Sequence, residues 1–376
     1  MQFYSLGGVQ VDGLLYGGVL GFQAFCVFSL FHTARFPVKI VKTVLAKRRF
    51  PSFSFRPLMA VRGVLFLSLF LLGMGQAATA EPLVFAASKT GWLAWLAEEK
   101  GFFKEVGVDV KMVEVSSGVD AAAGLTDGRF HIATMSEFAF ASLIFSHPNT
   151  QVFGTVAALR NVFLIGRKDR GIEMPIDLKG KTIGLREKSI SEFLLGRILD
   201  LHGLSISDIK IVNVAAPDLA QALKDGRVDA IVSWQPYADY AIDAVGGEKF
   251  EMTVQGRQPY YFTLVGDGVL LRKRDEDIQK ILKALIEASE WALDNSIEAK
   301  AILSRKTGLE LKLVEKLAKD HVMDVSLQQD MLVLMEDETI WRVERGLSQP
   351  PLPNVLAHFY LSPLSKVDPT RITVIH

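Results

Sequence analysis

The sequence predicts an α/β protein of two similar lobes, each a small parallel sheet with helices between its strands. Three observations point that way. A stretch near residue 124 repeats about 98 residues later, apolar strand-like runs alternate with helical ones in the same order in both copies, and the length of 376 residues suits two domains of common size. With 49% hydrophobic and 22% charged residues the composition is that of an ordinary globular chain.

The N-terminal 80 residues stand apart. They carry eight of the 42 basic residues and one of the 42 acidic ones, which leaves 34 basic and 41 acidic residues beyond them. The body is therefore mildly acidic, which argues against a nucleic-acid partner. From Met59 the chain reads Met59-Ala60-Val61-Arg62, an apolar run from Gly63 to Gly75, and Gln76-Ala77-Ala78-Thr79-Ala80 before Glu81-Pro82. A basic start, a short apolar run and a small-x-small end are the parts of a secretory signal, expected at 59–80 with cleavage after Ala80. The run is short for a bilayer span, and a buried core helix is the competing reading. Leu14 to Phe31 is a second apolar stretch, followed by Arg35, Lys39, Lys42, Lys47, Arg48 and Arg49. It reads either as a membrane helix with a basic flank or, because Met59 makes a complete start, as part of a preamble over 1–58 that need not be translated. The single cysteine, Cys26, lies in that preamble, so an exported body would carry no disulfide and no lipid-attachment thiol.

In the repeat, Gly124-Leu125-Thr126-Asp127-Gly128-Arg129-Phe130-His131-Ile132-Ala133 realigns on Ala222-Leu223-Lys224-Asp225-Gly226-Arg227-Val228-Asp229-Ala230-Ile231. Each copy reads as a helix closed by glycine and then a strand. Upstream, the apolar run Leu83 to Ala87 precedes a helix from Trp92 to Phe103, as Thr182 to Leu185 precedes one from Ile190 to Leu201. Val108 to Val115 and Ile209 to Val214 are the next strands. Each copy is thus strand, helix, strand, helix, strand, which predicts two right-handed parallel units; one continuous sheet is the alternative.

Between the copies, Val162 to Ile165 is strand-like. Beyond the second copy, Tyr260 to Val265 and Gly268 to Leu271 read as strands again. The strand regions on either side of the second copy are the expected crossovers, giving a first lobe of 81–162 and 262–376 and a second of 163–261. Asp277 to Asn295, Ile297 to Thr307, Leu311 to His321 and Leu327 to Arg345 read as amphipathic helices that pack on the first lobe. Leu332, Met335, Trp341 and Val343 look like core, and Val367 to Val374 like loop with a last short strand.

In open α/β sheets ligands bind at the carboxyl ends of the strands, where helix N-termini also point. In the first lobe these ends nominate Thr90, Trp92, Ser116, Ser117, Gly118, Ser136 and Glu137. In the second they nominate Ser189, Ser191, Trp234 and Tyr237. Ser189-Ile190-Ser191-Glu192 fits a capping box, with Ser189 accepting from the N–H of Glu192, and this role competes with a ligand contact. Trp234 sits at the repeat position of Ser136 and could stack on a planar ligand. Glu137 and Glu192 would place carboxylates near the cleft, which leans the ligand toward N–H donors or cationic character. His131, His147 and His202 lack metal-ligand spacing, no Ser/His/Asp arrangement can be read, and neither Asp-Gly pair is followed by the Gly-Lys-Ser/Thr of a phosphate loop.

Glu98-Glu99-Lys100-Gly101-Phe102-Phe103, Gly107-Val108-Asp109-Val110, Ser117-Gly118, Asp127-Gly128-Arg129, Asp177-Leu178-Lys179-Gly180-Lys181, Asp225-Gly226-Arg227-Val228-Asp229-Ala230 and Trp234-Gln235-Pro236-Tyr237 together resemble the nitrate/sulfonate/taurine and thiamine-pyrimidine (SsuA/THI5-like) solute-binding proteins over residues 81–376. The resemblance implies a type II periplasmic-binding-protein fold that closes about a hinge, and delivery of a small solute to an ABC permease and its ATPase. It implicates Trp92, Ser117, Gly118, Ser136, Glu137, Ser189 and Trp234, and no cofactor. A free periplasmic monomer without catalysis is expected, its ligand a nitrogen heterocycle such as a thiamine-pyrimidine precursor, or else a sulfonate or nitrate. Some relatives form pyrimidines enzymatically with a cysteine-rich iron motif, which this sequence lacks. A membrane-anchored sensor is the remaining alternative if residues 1–58 form an anchor.

Overall fold

The structure is a computed structural model that describes residues 81–375; the expectations for 1–58 and 59–80 lie outside the described residues. No helix among the described residues is long and apolar enough to cross a membrane.

The first copy of the repeat forms β1 (Leu83–Ala87), α1 (Trp92–Lys100), α2 (Phe102–Glu105), β2 (Val110–Glu114), α3 (Gly118–Thr126) and β3 (Ile132–Ser136), followed directly by α4 (Glu137–Leu143). The strand β1 runs parallel to β2 and to β3, with Leu83 opposite Val110 and Phe85 opposite Ile132. Its apolar run is continuous because both of its faces are covered. The single helix expected from Trp92 to Phe103 is two, because Gly101 adopts φ 83° and closes α1 in the left-handed conformation.

After β4 (Thr150–Leu159) the second sheet is built from β5 (Val162–Arg167), β6 (Thr182–Leu185), α5 (Ile190–Leu201), β7 (Lys210–Asn213), α6 (Leu219–Lys224), β8 (Ala230–Trp234), α7 (Tyr237–Val245) and β9 (Lys249–Thr253). Here β6 is parallel to β7 and β8, as β1 is to β2 and β3. The chain returns to the first sheet as β10 (Tyr260–Asp267). With the two-residue β11 (His321–Val322), the strand orders are β11-β4-β10-β3-β1-β2 and β7-β6-β8-β5-β9, so each parallel trio is extended by antiparallel strands. The two chain crossings lie between β4 and β5 and between β9 and β10. Gln255 pins them together: its amide donates to the Leu159 carbonyl and its Oε1 accepts from the Val162 N–H, both at 2.9 Å.

The remaining elements are α8 (Gly268–Lys273), α9 (Asp275–Asp294), α10 (Ser296–Thr307), α11 (Leu311–Leu317), α12 (Gln329–Glu344) and α13 (Ser362–Val367). Two expectations are corrected here. Gly268 to Leu271 is helix rather than strand, because the Asp267 carboxylate accepts from the N–H groups of Val269 and Leu270 and caps a helical turn. The region 367–374 contributes no strand; Ile372 makes one isolated bridge to Leu327. The apolar stripe Ile278, Ile281, Leu282, Leu285, Ala288 and Ala292 of α9 faces inward at helical spacing and packs on α1 and α13. The helix α12 packs on α4 of the first lobe and also reaches the second. Its Trp341 ring meets Phe138 and Phe193 edge-on at 5.9 and 5.4 Å, and its Arg345 pairs with Asp200 of α5 at 2.7 Å.

Candidate functional site

The ends of β1, β3 and β8 and the starts of α3 and α5 converge on a narrow cleft. It is lined by Ser88, Thr90, Gly118, Val119, Ser136 and Ala139 of the first lobe, Ser189, Ile190 and Trp234 of the second, and Tyr260 and Phe262 of β10. Its volume of about 20 Å³ is the room of one or two water molecules, so the lobes stand nearly closed on each other.

Each wall follows from its local sequence. Ser88 and Thr90 sit in the turn after β1 with their hydroxyls 2.9 Å apart. Ser117 caps α3, its Oγ accepting from the Asp120 N–H at 3.2 Å and donating to the Asp120 carboxylate at 2.7 Å. Gly118 is required by proximity, since a Cβ there would lie 2.8 Å from Met135 Cα. Ser136 caps α4 through the Ala139 N–H at 3.2 Å. On the opposite lobe Ser189 caps α5, but not as the expected box. Its Oγ accepts from the Ser191 N–H at 3.3 Å and donates to the Arg186 carbonyl at 2.6 Å, while the Glu192 N–H binds the Ser189 carbonyl. The Glu192 side chain still turns back, accepting from the Lys188 N–H at 3.1 Å. Trp234 ends β8 and meets Tyr237 edge-on at 5.9 Å.

Of the eleven candidates, Thr90, Gly118, Ser136, Ser189 and Trp234 line the cleft. Ser116 and Tyr237 meet across the lobes instead, the phenol donating to the Ser116 carbonyl at 3.0 Å. Beside them Arg186 of the second lobe pairs with Asp120 of the first at 2.8 Å. Ser117 and Ser191 are buried behind the lining; the Ser191 hydroxyl has no partner among the described residues. Trp92 does not reach the cleft. Its indole is 1% exposed and stacks on His321 at 4.1 Å, because the first residue of α1 points into the core on the far side of its turn.

The carboxylates also differ from expectation. Glu137 is fully buried beneath the cleft, its Oε2 accepting from the Tyr261 N–H at 3.0 Å, and burial pushes its acid well above the usual carboxylate range. Glu192 faces α12, where Arg342 lies 3.5 Å away; burial raises it and Arg342 opposes that rise. No lining residue is Asp, Glu, Lys, Arg, His or Cys. The one ionisable group on the wall is the Tyr260 phenol, which donates to Asn161 Oδ1 at 3.1 Å and which burial holds protonated far above its ordinary range. The cleft therefore offers hydroxyls, the first turns of α3 and α5 from opposite lobes, and apolar walls. Hydroxyls and helix N-termini favour an uncharged or anionic polar group. Val119, Ala139 and Phe262 were missed from sequence, whereas Ser88, Ile190 and Tyr260 lie in or beside the strand-end segments that nominated the eleven. Tyr260 and Phe262 carried a signal, since residues two apart on a strand share a face.

The family model described as "NMT1/THI5 like" matches residues 93–299, which takes in most of both copies of the repeat. A putative aliphatic sulfonates-binding protein of Bacillus subtilis (strain 168) is 28% identical over 259 residues, covering 65% of this chain and 75% of its own. The alkanesulfonate-binding protein SsuA from Xanthomonas axonopodis pv. citri, solved bound to MOPS, superposes with a TM-score of 0.68 at 18% identity, covering 76% of this chain and all of its own. The desulfurization enzyme DSZB shares the fold at a TM-score of 0.55 and 18% identity, over 76% of this chain and 98% of its own. The two mixed sheets, their double crossing and these neighbours identify the type II periplasmic-binding-protein fold. With the family model lying across both lobes of that fold, the chain belongs to the NMT1/THI5-like family.

Proposed function

We propose that the protein is the periplasmic substrate-binding component of an ABC importer and that its ligand is an organosulfonate, held by its sulfonate head in the inter-lobe cleft. The observation that carries the ligand class is the lining itself. Four serine and threonine hydroxyls, the Tyr260 phenol and the first turns of α3 and α5 line the space, and no carboxylate does. A sulfonate needs hydrogen-bond donors from several directions and no competing negative charge, and helix N-termini from two lobes supply that only when the lobes meet. The expectation of a nitrogen heterocycle leaned on Glu137 and Glu192 facing the ligand, and neither lines the cleft: Glu192 lies against Arg342, and Glu137 borders a neighbouring cavity that shares Ile190 and Tyr260 with it. The sulfonate-binding relatives support the same reading. Binding then works by selection of the closed state: a head group touching both lobes stabilises closure, and the closed form docks the permease.

The test is calorimetric titration of the exported protein with methanesulfonate, nitrate and a 4-aminopyrimidine, with mass spectrometry of the recovered ligand. Saturable sulfonate binding with unaltered release is expected. Tight aminopyrimidine binding without a sulfonate response would return the ligand to the heterocycle class, and a chemically changed ligand would make the protein an enzyme.

A further inference from the structure

The cleft has the room of one or two water molecules, so a sulfonate head already requires the lobes to part slightly and an organic remainder must lie elsewhere. A second space shares part of its wall with it. A groove of about 210 Å³ runs between α3 and α4, and Val119 and Ala139 line both spaces. Its sides are the short side chains Ala122, Ala123 and Ser142 with Leu143, and His147 and Lys188 line it as well. No Asp or Glu lines it. Lys188 comes from the second lobe and stands over a groove made by helices of the first, so closure completes this space as it completes the cleft. It holds φ at 62°, the one non-glycine residue with positive φ among those described, in the turn that leads into α5. Its backbone N–H is taken by Glu192, whose carboxylate also feels the Lys188 charge, and its ammonium makes no hydrogen bond or ion pair among the described residues.

We propose that the groove between α3 and α4 is a tail subsite: the carbon chain of the ligand passes between Val119 and Ala139, lies along Ala122 and Ala123, and ends in a second anionic group beneath Lys188. This rests on the sulfonate reading of the cleft and narrows it to a chain of a few carbons carrying a distal carboxylate or sulfonate. The alanines leave room for methylenes against their methyl groups, and the exposed ammonium supplies the charge preference.

Calorimetry on methanesulfonate, propanesulfonate, butanesulfonate and 4-sulfobutanoate tests it, using the wild-type protein and the variants Ala123→Leu and Lys188→Gln. Wild-type affinity should climb about fourfold per methylene along the alkyl series. In Ala123→Leu, which fills the groove from an exposed helix position, the butane-to-methanesulfonate ratio should fall toward one. In Lys188→Gln, the preference for 4-sulfobutanoate over butanesulfonate should drop about tenfold, the loss of one charge-assisted hydrogen bond. Methanesulfonate binding with no gain along the chain overturns the tail subsite alone, as do wild-type ratios in both variants. Failure of every sulfonate to bind removes the tail subsite together with the ligand class proposed for the cleft.

Discussion

Trp234 and Gly118 show how differently two residues serve one cleft. Trp234 ends a strand with its ring on the cleft wall and only 7% of its surface exposed, so truncation removes core packing together with any ligand contact. Trp234→Ala should weaken binding by about 1 to 4 kcal/mol in calorimetric titration and also lower the thermal midpoint of the unliganded protein, because about 3 to 5 kcal/mol of packing goes with a buried indole. Gly118 acts by having no side chain. Alanine would press its Cβ against the backbone of Met135, which cannot swing aside, so Gly118→Ala should cost about 1 to 3 kcal/mol of stability and push α3 away from the cleft. Chemical denaturation checks the first effect and titration the second. Trp92 illustrates the opposite case: a tryptophan at a strand end in the sequence, it is core in the fold.

The helix α12 joins the lobes behind the cleft. Arg342 on this helix is 3% exposed and faces Glu192 of α5, also buried, so the pair spans the hinge away from water. Breaking such a pair strands a buried charge: Arg342→Met should destabilise by about 3 to 5 kcal/mol, and adding Glu192→Gln should recover most of it. One turn earlier on α12, Glu338 is buried with both oxygens unpartnered among the described residues. Burial, and then the nearby Glu137, drives its acid well above the usual 4.5. Because the folded state holds this proton more tightly than the unfolded chain, the associated stability is present below the unfolded value and is lost as pH rises through the folded one. Glu338→Gln should therefore raise the thermal midpoint more at pH 8 than at pH 5; an equal change at both would show that the acid does not titrate on unfolding.

Closure depends on bonds between lobes that are not part of the cleft lining. The Tyr237 phenol on the Ser116 carbonyl and the Arg186–Asp120 pair bridge the lobes beside the cleft, while Gln255 and Asn161 tie the two crossing strands at the hinge. The hinge bonds connect residues close to the axis and can persist as the lobes part. The two latches cannot. A single hydrogen bond contributes about 0.5 to 1.5 kcal/mol and a half-exposed ion pair about 0.2 to 1 kcal/mol, enough together to shift the open–closed balance several-fold. Tyr237→Phe with Arg186→Ala should enlarge the unliganded protein in small-angle scattering and speed ligand dissociation in stopped flow, leaving far-ultraviolet circular dichroism unchanged.

The lobes and their order were legible because the signals that specify them are local: an apolar run covered on both faces, a glycine that closes a helix, and the repeat of both at one spacing, as at Gly128 and Gly226, which take φ 79° and 70°. Five of the eleven candidates reached the cleft for the same reason, since Thr90, Gly118, Ser136, Ser189 and Trp234 all occupy strand ends or helix starts. The direction in which a side chain points from such an end is not local. Trp92 turns into the core, Glu137 dives toward Tyr261, and Glu192 finds Arg342 about 150 residues on, each according to what packs against it from distant parts of the chain. The strand β4 was missed because its run from Thr150 to Leu159, interrupted by Gly154 and Thr155, acquires its meaning from β10 beside it. Residue types and their spacing thus set the elements and the lobe that each belongs to. Which groups line the cleft was decided by the meeting of the two lobes, where Glu137 and Glu192 find partners elsewhere and hydroxyls and helix N-termini stay on the wall.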